Sequence, residues 1–200
     1  MAKKLRREPI YIAPGIRGWI DEFGNPTVID ERNENSNLDA FNVNDKIIIY
    51  KRQVEDWFLK PATNLIKYKS DNKGFIVLMI CLLYLEGIEQ YRRGQSSRNR
   101  SGEFFAATLE RIYPDKYSNA QLRSFYEDAR CGLFHNGMVE GKIIINNSFP
   151  QSLQFIGNTD IKISPSKLLR DIKIDFENFI NELNENAQSR ERFDNMFHNI

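Results

Sequence analysis

The sequence predicts a mainly α fold: an up-and-down helical bundle of four to five helices with a small β appendage. Three observations lead there. Long stretches repeat apolar residues at three- and four-residue steps, the spacing of one helix face. Strand-like stretches are short and gather in two places, Tyr11 to Asp30 and about residues 140–163. The chain has 200 residues, 41% hydrophobic and 28% charged, which suits one folded core rather than a disordered chain. The expected organisation is an N-terminal extension with short strands over residues 1–43. A helical bundle over 44–200 follows, with a β insertion at about 140–163.

Taken in order, residues Met1 to Glu8 read as a mobile basic arm. A turn signal at Gly24-Asn25-Pro26 separates strand-like Trp19 to Phe23 from Thr27 to Ile29, and Glu31 to Asn37 reads as loop. Asn44 or Asp45 starts the first long helix, which runs to about Lys67 with Ile48, Val54, Trp57, Phe58, Leu65 and Ile66 inward. Pro61 should kink or divide it, because proline cannot donate a backbone hydrogen bond. Phe75 to Arg93 is a second helix, apolar almost all round at first and so central. Gly94 to Gly102 is a basic loop. Glu103 to Tyr113 is a third helix, stopped by Pro114. A fourth begins at Asn119. Short strands are expected at Lys142 to Asn146, Leu153 to Ile156 and Asp160 to Ile163. Ser164-Pro165 is a cap-then-proline start for a helix over Lys167 to Asn184, and a last short helix covers Gln188 to Phe197.

Composition narrows the function classes. The net charge is +1, so an anion-binding surface would have to be local. Cys81 and Cys131 lie in apolar helical stretches, as reduced thiols of a cytoplasmic protein do. No Cys/His cluster has zinc-ligand spacing, so neither a metal nor another cofactor is expected. The basic N-terminus is followed by no apolar run, which does not support secretion. The most apolar run, Phe75 to Leu85, falls short of the ~20 residues that span a bilayer, so no membrane role is expected.

The stretch that carries chemistry is Asn119 to Val139. Ser118 or Asn119 can cap its start, and Leu122, Phe125, Tyr126, Ala129, Leu133 and Phe134 make one apolar face. Gly137 suits the residue that closes a helix. Into this stripe the sequence sets Arg130 and His135. Metal-free RNA cleavage needs a base for the ribose 2′-hydroxyl, an acid for the leaving oxygen and a cation on the phosphoryl group. Histidine can serve either proton role, and the planar arginine fork matches phosphate oxygens. One chain offers one such histidine, so acid plus base would need a symmetric dimer that brings a second copy of both groups.

Arg130-Cys131-Gly132-Leu133-Phe134-His135 resembles the Arg-x4–6-His signature of the HEPN superfamily, helical bundles that are often RNases. The likeness covers about Asn44 to Asn184. It implies a dimeric cleft, a 2′,3′-cyclic phosphate product, and a possible place in toxin–antitoxin or phage-defence systems with an antitoxin protein as partner. Many catalytic members carry Asn, Asp or His directly after the arginine; here it is Cys131. A second match, Arg192 to His198, lies near the terminus and is read as coincidence. Under this reading Arg130 and His135 are catalytic. Asn136, Arg92, Arg93 and Arg123 contact RNA, with Arg98 and Arg100 in the rim and Tyr91 and Tyr126 as stacking faces. The alternatives are a non-catalytic HEPN-like domain that binds RNA, a nucleotide or a protein partner, and a purely structural role. In the last, Arg130 pairs with Glu86, Glu89 or Glu127 and His135 caps a helix end.

Overall fold

The computed structural model describes residues 5–68, 73–136, 138–139, 143–157 and 160–197; the side chains at 135 and 136 lie outside the description. Four antiparallel strands open the chain: β1 (Ile10–Ala13), β2 (Ile16–Ile20), β3 (Pro26–Asp30) and β4 (Ser36–Leu38), in that spatial order. β1 and β2 are joined through Gly15, whose φ of +73° is open to glycine without strain. The β2–β3 turn is held by the Asp21 carboxylate, which accepts from the backbone N–H groups of Phe23 and Asn25. The turn therefore spans Asp21 to Asn25: β2 begins earlier but ends three residues before the expected Phe23, and β3 runs one residue further at each end. The expected loop after Glu31 contains β4. Residues 5–8 of the N-terminal arm are also placed: Ile20 donates its N–H to the Arg6 carbonyl, and the Leu5 side chain fills the space over Gly18.

Asn42 caps α1 (Val43–Val54) through the Asn44 N–H. The helix passes through a π-helical turn, Glu55–Leu59, into α2 (Lys60–Lys67). Pro61 sits at the start of α2. The looser turn just before it accommodates the missing N–H, so the chain changes pitch rather than breaking. α3 (Lys73–Arg93) is the central helix. It packs against α4 (Ser101–Ile112), α6 (Pro165–Glu185) and α7 (Ala187–Met196). It has 21 residues, and an 18-residue window within it has a mean hydropathy of 1.5, enough by length and composition alone to cross a membrane; the length argument made from the shorter run does not hold for the whole helix. One side of it is packed inside the molecule. Val77, Leu78, Cys81, Leu82 and Leu85 are fully buried, and burial pushes the Cys81 thiol pKa up. α7 approaches so closely that a side chain at Gly94 would meet the Arg192 backbone at 2.7 Å.

A capping box of Ser118 and Gln121 starts α5 (Asn119–Phe125). The helix then continues as a π-helical segment, Tyr126–Asn136. The expected stop at Gly137 lies outside the described residues. A second sheet follows: β5 (Ile143–Ile145) pairs parallel with β7 (Asp160–Ile163), which pairs antiparallel with β6 (Leu153–Ile156).

The expected fold class is corrected by these sheets. The molecule is a mixed α/β fold with a four-stranded antiparallel sheet and a three-stranded mixed sheet, not a mainly α bundle with a small β appendage. The physical reason is burial. Ile12, Ala13, Ile16 and Val28 of the first sheet, and Leu153, Ile161 and Ile163 of the second, belong to the same apolar cluster as the helices. Their short alternating runs look like surface strands in sequence. Folded, each sheet sets one face into the helical core.

Candidate functional site

Arg130 lies on the π-helical segment and reaches across to α3. Its Nη2 donates to Glu86 Oε2 at 2.8 Å. The guanidinium sits 5.7 Å from the Tyr126 ring centroid and 5.4 Å from that of Phe134, within the range of attraction between a cation and a ring face. Glu86 is held from its other oxygen, where Oε1 accepts from the Ser97 hydroxyl at 2.8 Å. Ser97 is itself fixed by its N–H bond to Gln90 Oε1. The arginine is therefore oriented by a carboxylate, and that carboxylate by a loop serine. The Arg130 side chain keeps 22% exposure, so the group is reachable from solvent.

The helix type matters to what stands near Arg130. In an α-helix, residues five apart point about 140° away from one another, because each step turns about 100°. In a π-helix the N–H of residue i+5 bonds the carbonyl of residue i, so positions five apart stack one turn above the other. Tyr126 and Cys131 follow this rule: burial first, and the Cys131 thiol beside it second, push the Tyr126 hydroxyl pKa upward. The same register puts the backbone of position 135 one turn along from Arg130 on the same side of the helix. Tyr126 packs edge-on against Phe105, with centroids 5.4 Å apart. Its ring closes over Gly102, where any Cβ would crowd it at 3.2 Å.

The other expected contacts are dispersed. Arg92 turns toward α6, donating to Glu182 at 2.5 Å and lying 4.5 Å over the Phe179 ring. Arg93 donates to Glu89 and Glu103, each at 2.7 Å. Arg123, 80% exposed, pairs with Glu127. Arg100 pairs with Glu103, and the two guanidiniums of Arg100 and Arg93 hold the Glu103 carboxyl at a pKa of about 2. Tyr91 is packed 4.3 Å from the Tyr50 ring and against Phe193, so it is a core ring. Asn136 and His135 have no described side chain. No group of carboxylates, cysteines and histidines that could hold a metal is found among the described residues.

Two features escaped the sequence reading. One is a buried ion network behind Arg92. Asp175, 7% exposed, accepts from Arg111 Nε at 2.9 Å and from the Tyr84 hydroxyl at 2.7 Å; Arg111 also donates to Glu89 at 2.6 Å. The signal was present, because Asp175 stands on the apolar stripe of α6 between Ile172 and Phe176. The other is an exposed apolar strip on α3. Ile76, Met79 and Leu83 are 50%, 36% and 46% exposed, with Trp57 and Phe58 beside it at 38% and 41%. It ends next to Glu86.

These features describe a mixed α/β protein in which the Arg130 and Glu86 cluster stands beside an exposed apolar helix face. No protein-family model matches the chain, and no curated protein or solved structure matches it either. None of these comparisons links the chain to the HEPN superfamily.

Proposed function

We propose that this protein is a metal-independent, HEPN-like endoribonuclease that acts on single-stranded RNA or tRNA as a cytoplasmic homodimer. The observation that carries the proposal is the π-helical register, which sets position 135 one turn from an arginine already oriented by Glu86. In the proposed reaction a histidine takes the proton of the ribose 2′-hydroxyl and the 2′-oxygen attacks phosphorus. The bond to the 5′-oxygen breaks, leaving a 2′,3′-cyclic phosphate and a 5′-hydroxyl that receives a proton from the second histidine. Arg130 stabilises the charge that builds on the phosphoryl oxygens. The apolar strip of α3 supports the dimer: it runs up to Glu86, so a second copy seated on it brings its own Arg130 and His135 close. Toxin–antitoxin or phage-defence work, with an antitoxin protein as partner, belongs to the same proposal through the HEPN likeness.

The experiment is incubation of purified protein with tRNA or single-stranded RNA in EDTA. Cleavage with cyclic-phosphate ends is expected, falling by about 10²-fold or more in His135→Ala and also in Arg130→Ala. Equal cleavage by wild type and His135→Ala overturns the reading.

A second reading is favoured by two particular contacts. Glu86 neutralises Arg130, and Cys131 is occupied by Tyr126. Both suit a non-catalytic HEPN-like domain that binds RNA, a nucleotide or a protein. Binding of intact RNA by a stable dimer, with no cleavage, selects it.

A further inference from the structure

We propose that the groove between α2 and α6 binds the phosphate backbone of single-stranded nucleic acid, on a part of the molecule separate from Arg130. This groove has a volume of about 360 Å³ and carries Lys67 on one wall and Arg170 and Lys173 on the other. Ile66, Leu169 and Ile174 make its lining apolar between the charges. Charge is what distinguishes it. Among the described residues no carboxylate lies within ion-pair distance of Lys67 or Lys173, and Arg170 meets only its own neighbour, Asp171, while staying 65% exposed. Glu177 is the one acid in the lining.

The geometry favours a repeating anion over an isolated one. Arg170, Lys173, Ile174 and Glu177 recur along one face of α6 at helical steps, so the cations stand in a row facing Lys67. Lys73 bonds the Ile66 carbonyl at 2.7 Å and also the Tyr68 carbonyl, which holds the last turn of α2 in place. Tyr68, directly after Lys67, is 69% exposed and offers a flat face for a base. A charged track beside an aromatic platform is how proteins hold single strands without reading sequence. An acidic peptide matches the cations but leaves the aromatic face and the apolar lining without a flat partner.

The groove stands apart from the Arg130 cluster. Lys73, which closes its end, precedes Glu86 by 13 residues on α3, about 20 Å at 1.5 Å per residue. It therefore goes beyond the ribonuclease reading and survives that reading's failure.

The test is fluorescence anisotropy in EDTA with a labelled single-stranded oligodeoxythymidine about 20 nucleotides long, which lacks the 2′-hydroxyl and cannot be cleaved by the proposed route. The triple variant Lys67→Ala/Arg170→Ala/Lys173→Ala is expected to bind at least about tenfold more weakly. Its plot of log affinity against log salt should lose about 2 from its slope, at about 0.7 per phosphate contact. Tyr68→Ala is expected to lose about fivefold or more. Lys51→Ala, which removes a cation outside the groove, is expected to bind like wild type. Unchanged affinity and slope in a triple variant with wild-type circular dichroism overturn the proposal. So does loss of binding in Arg130→Ala with the triple variant intact. Displacement of the labelled strand by polyglutamate as readily as by unlabelled strand also overturns it, and reassigns the groove to acidic peptides.

Discussion

The arginines around α3 and the lysines between α2 and α6 put similar charge to different use. Arg92, Arg93, Arg100, Arg111 and Arg130 each hold a carboxylate of the same chain, and Arg92 and Arg93 also lie over phenylalanine rings. The planar fork of arginine fits such paired, half-buried positions, whereas the strongly hydrated lysine ammonium prefers water. Lys67 and Lys173 line a groove in which, among the described residues, no carboxylate lies within ion-pair distance of either. The lesson is that the number of cations in a stretch does not measure its attraction for phosphate. The basic run Arg92, Arg93, Arg98 and Arg100 is conspicuous in sequence, yet most of its charge is spent on internal partners. The groove is inconspicuous in sequence and keeps its field.

The largest expected effect breaks the arginine side. Asp175→Ala leaves Arg111 with Glu89 as its remaining partner and strips the Tyr84 hydroxyl of its acceptor. Removing one member of a buried pair costs about 3–5 kcal/mol, so the urea midpoint should fall sharply. Asp175→Asn, which keeps an acceptor, should fall less. A change under about 1 kcal/mol for the alanine variant would mean that this network is not a structural element and that its arginines are available to a ligand.

Acid should act on the same side next. Burial raises the carboxyl pKa values of Asp30, Asp56 and Glu182, but bonds from Arg52 to Asp30, from Lys60 and Arg32 to Asp56, and from Ser189 and Arg92 to Glu182 outweigh it, leaving all three below their ordinary values. A carboxylate with a lowered folded pKa contributes stability that is complete above the unfolded value, near pH ~4. That stability is lost as pH falls through the folded value. Urea midpoints measured from pH 6 to pH 3 should hold steady and then drop below about pH 4. A flat profile down to pH 3 contradicts the pairing.

Some of this could be read from the chain and some could not. The helix stripes could: Leu168, Leu169, Ile172, Phe176, Phe179 and Leu183 are all buried along α6, as their spacing requires. The sheets' share of the core could not, because the burial of Ile12 and Ile16 depends on α1 packing beneath β1. β4 was hidden by its polar Ser36-Asn37. The pair of Arg130 and Glu86 was legible as one of three possible partners, but the choice among them needed the tertiary fold. The π-helical register was not legible, since the steps from Phe125 to Ala129 to Leu133 fit either helix type. The groove joins Lys67 to Lys173 from distant parts of the chain, and no local pattern announces it.

A smaller effect sharpens the comparison at Arg130. Glu86 and Arg130 are 15% and 22% exposed, so each single alanine variant should cost roughly 1–3 kcal/mol. A double-mutant cycle should return a coupling of about 0.5–3 kcal/mol. Glu86→Gln removes the neutralising charge while keeping the shape. RNA affinity should rise in this variant if Glu86 holds the arginine back, and cleavage should fall if Glu86 aims it.

The smallest expected effect carries the most weight for the contrast. Lys67→Ala and Lys173→Ala remove cations with no carboxylate partner among the described residues, and Lys67 is exposed. Surface changes of this kind stay within about 0.5 kcal/mol of wild type, in either direction. If local like-charge repulsion across the groove is relieved, the sign should be slightly stabilising at low ionic strength and vanish as salt rises. Urea unfolding of both variants at two salt concentrations checks this. A loss above about 1 kcal/mol would show that these lysines are structural like the arginines, and the division between a self-neutralised core and a groove-lining track would then dissolve.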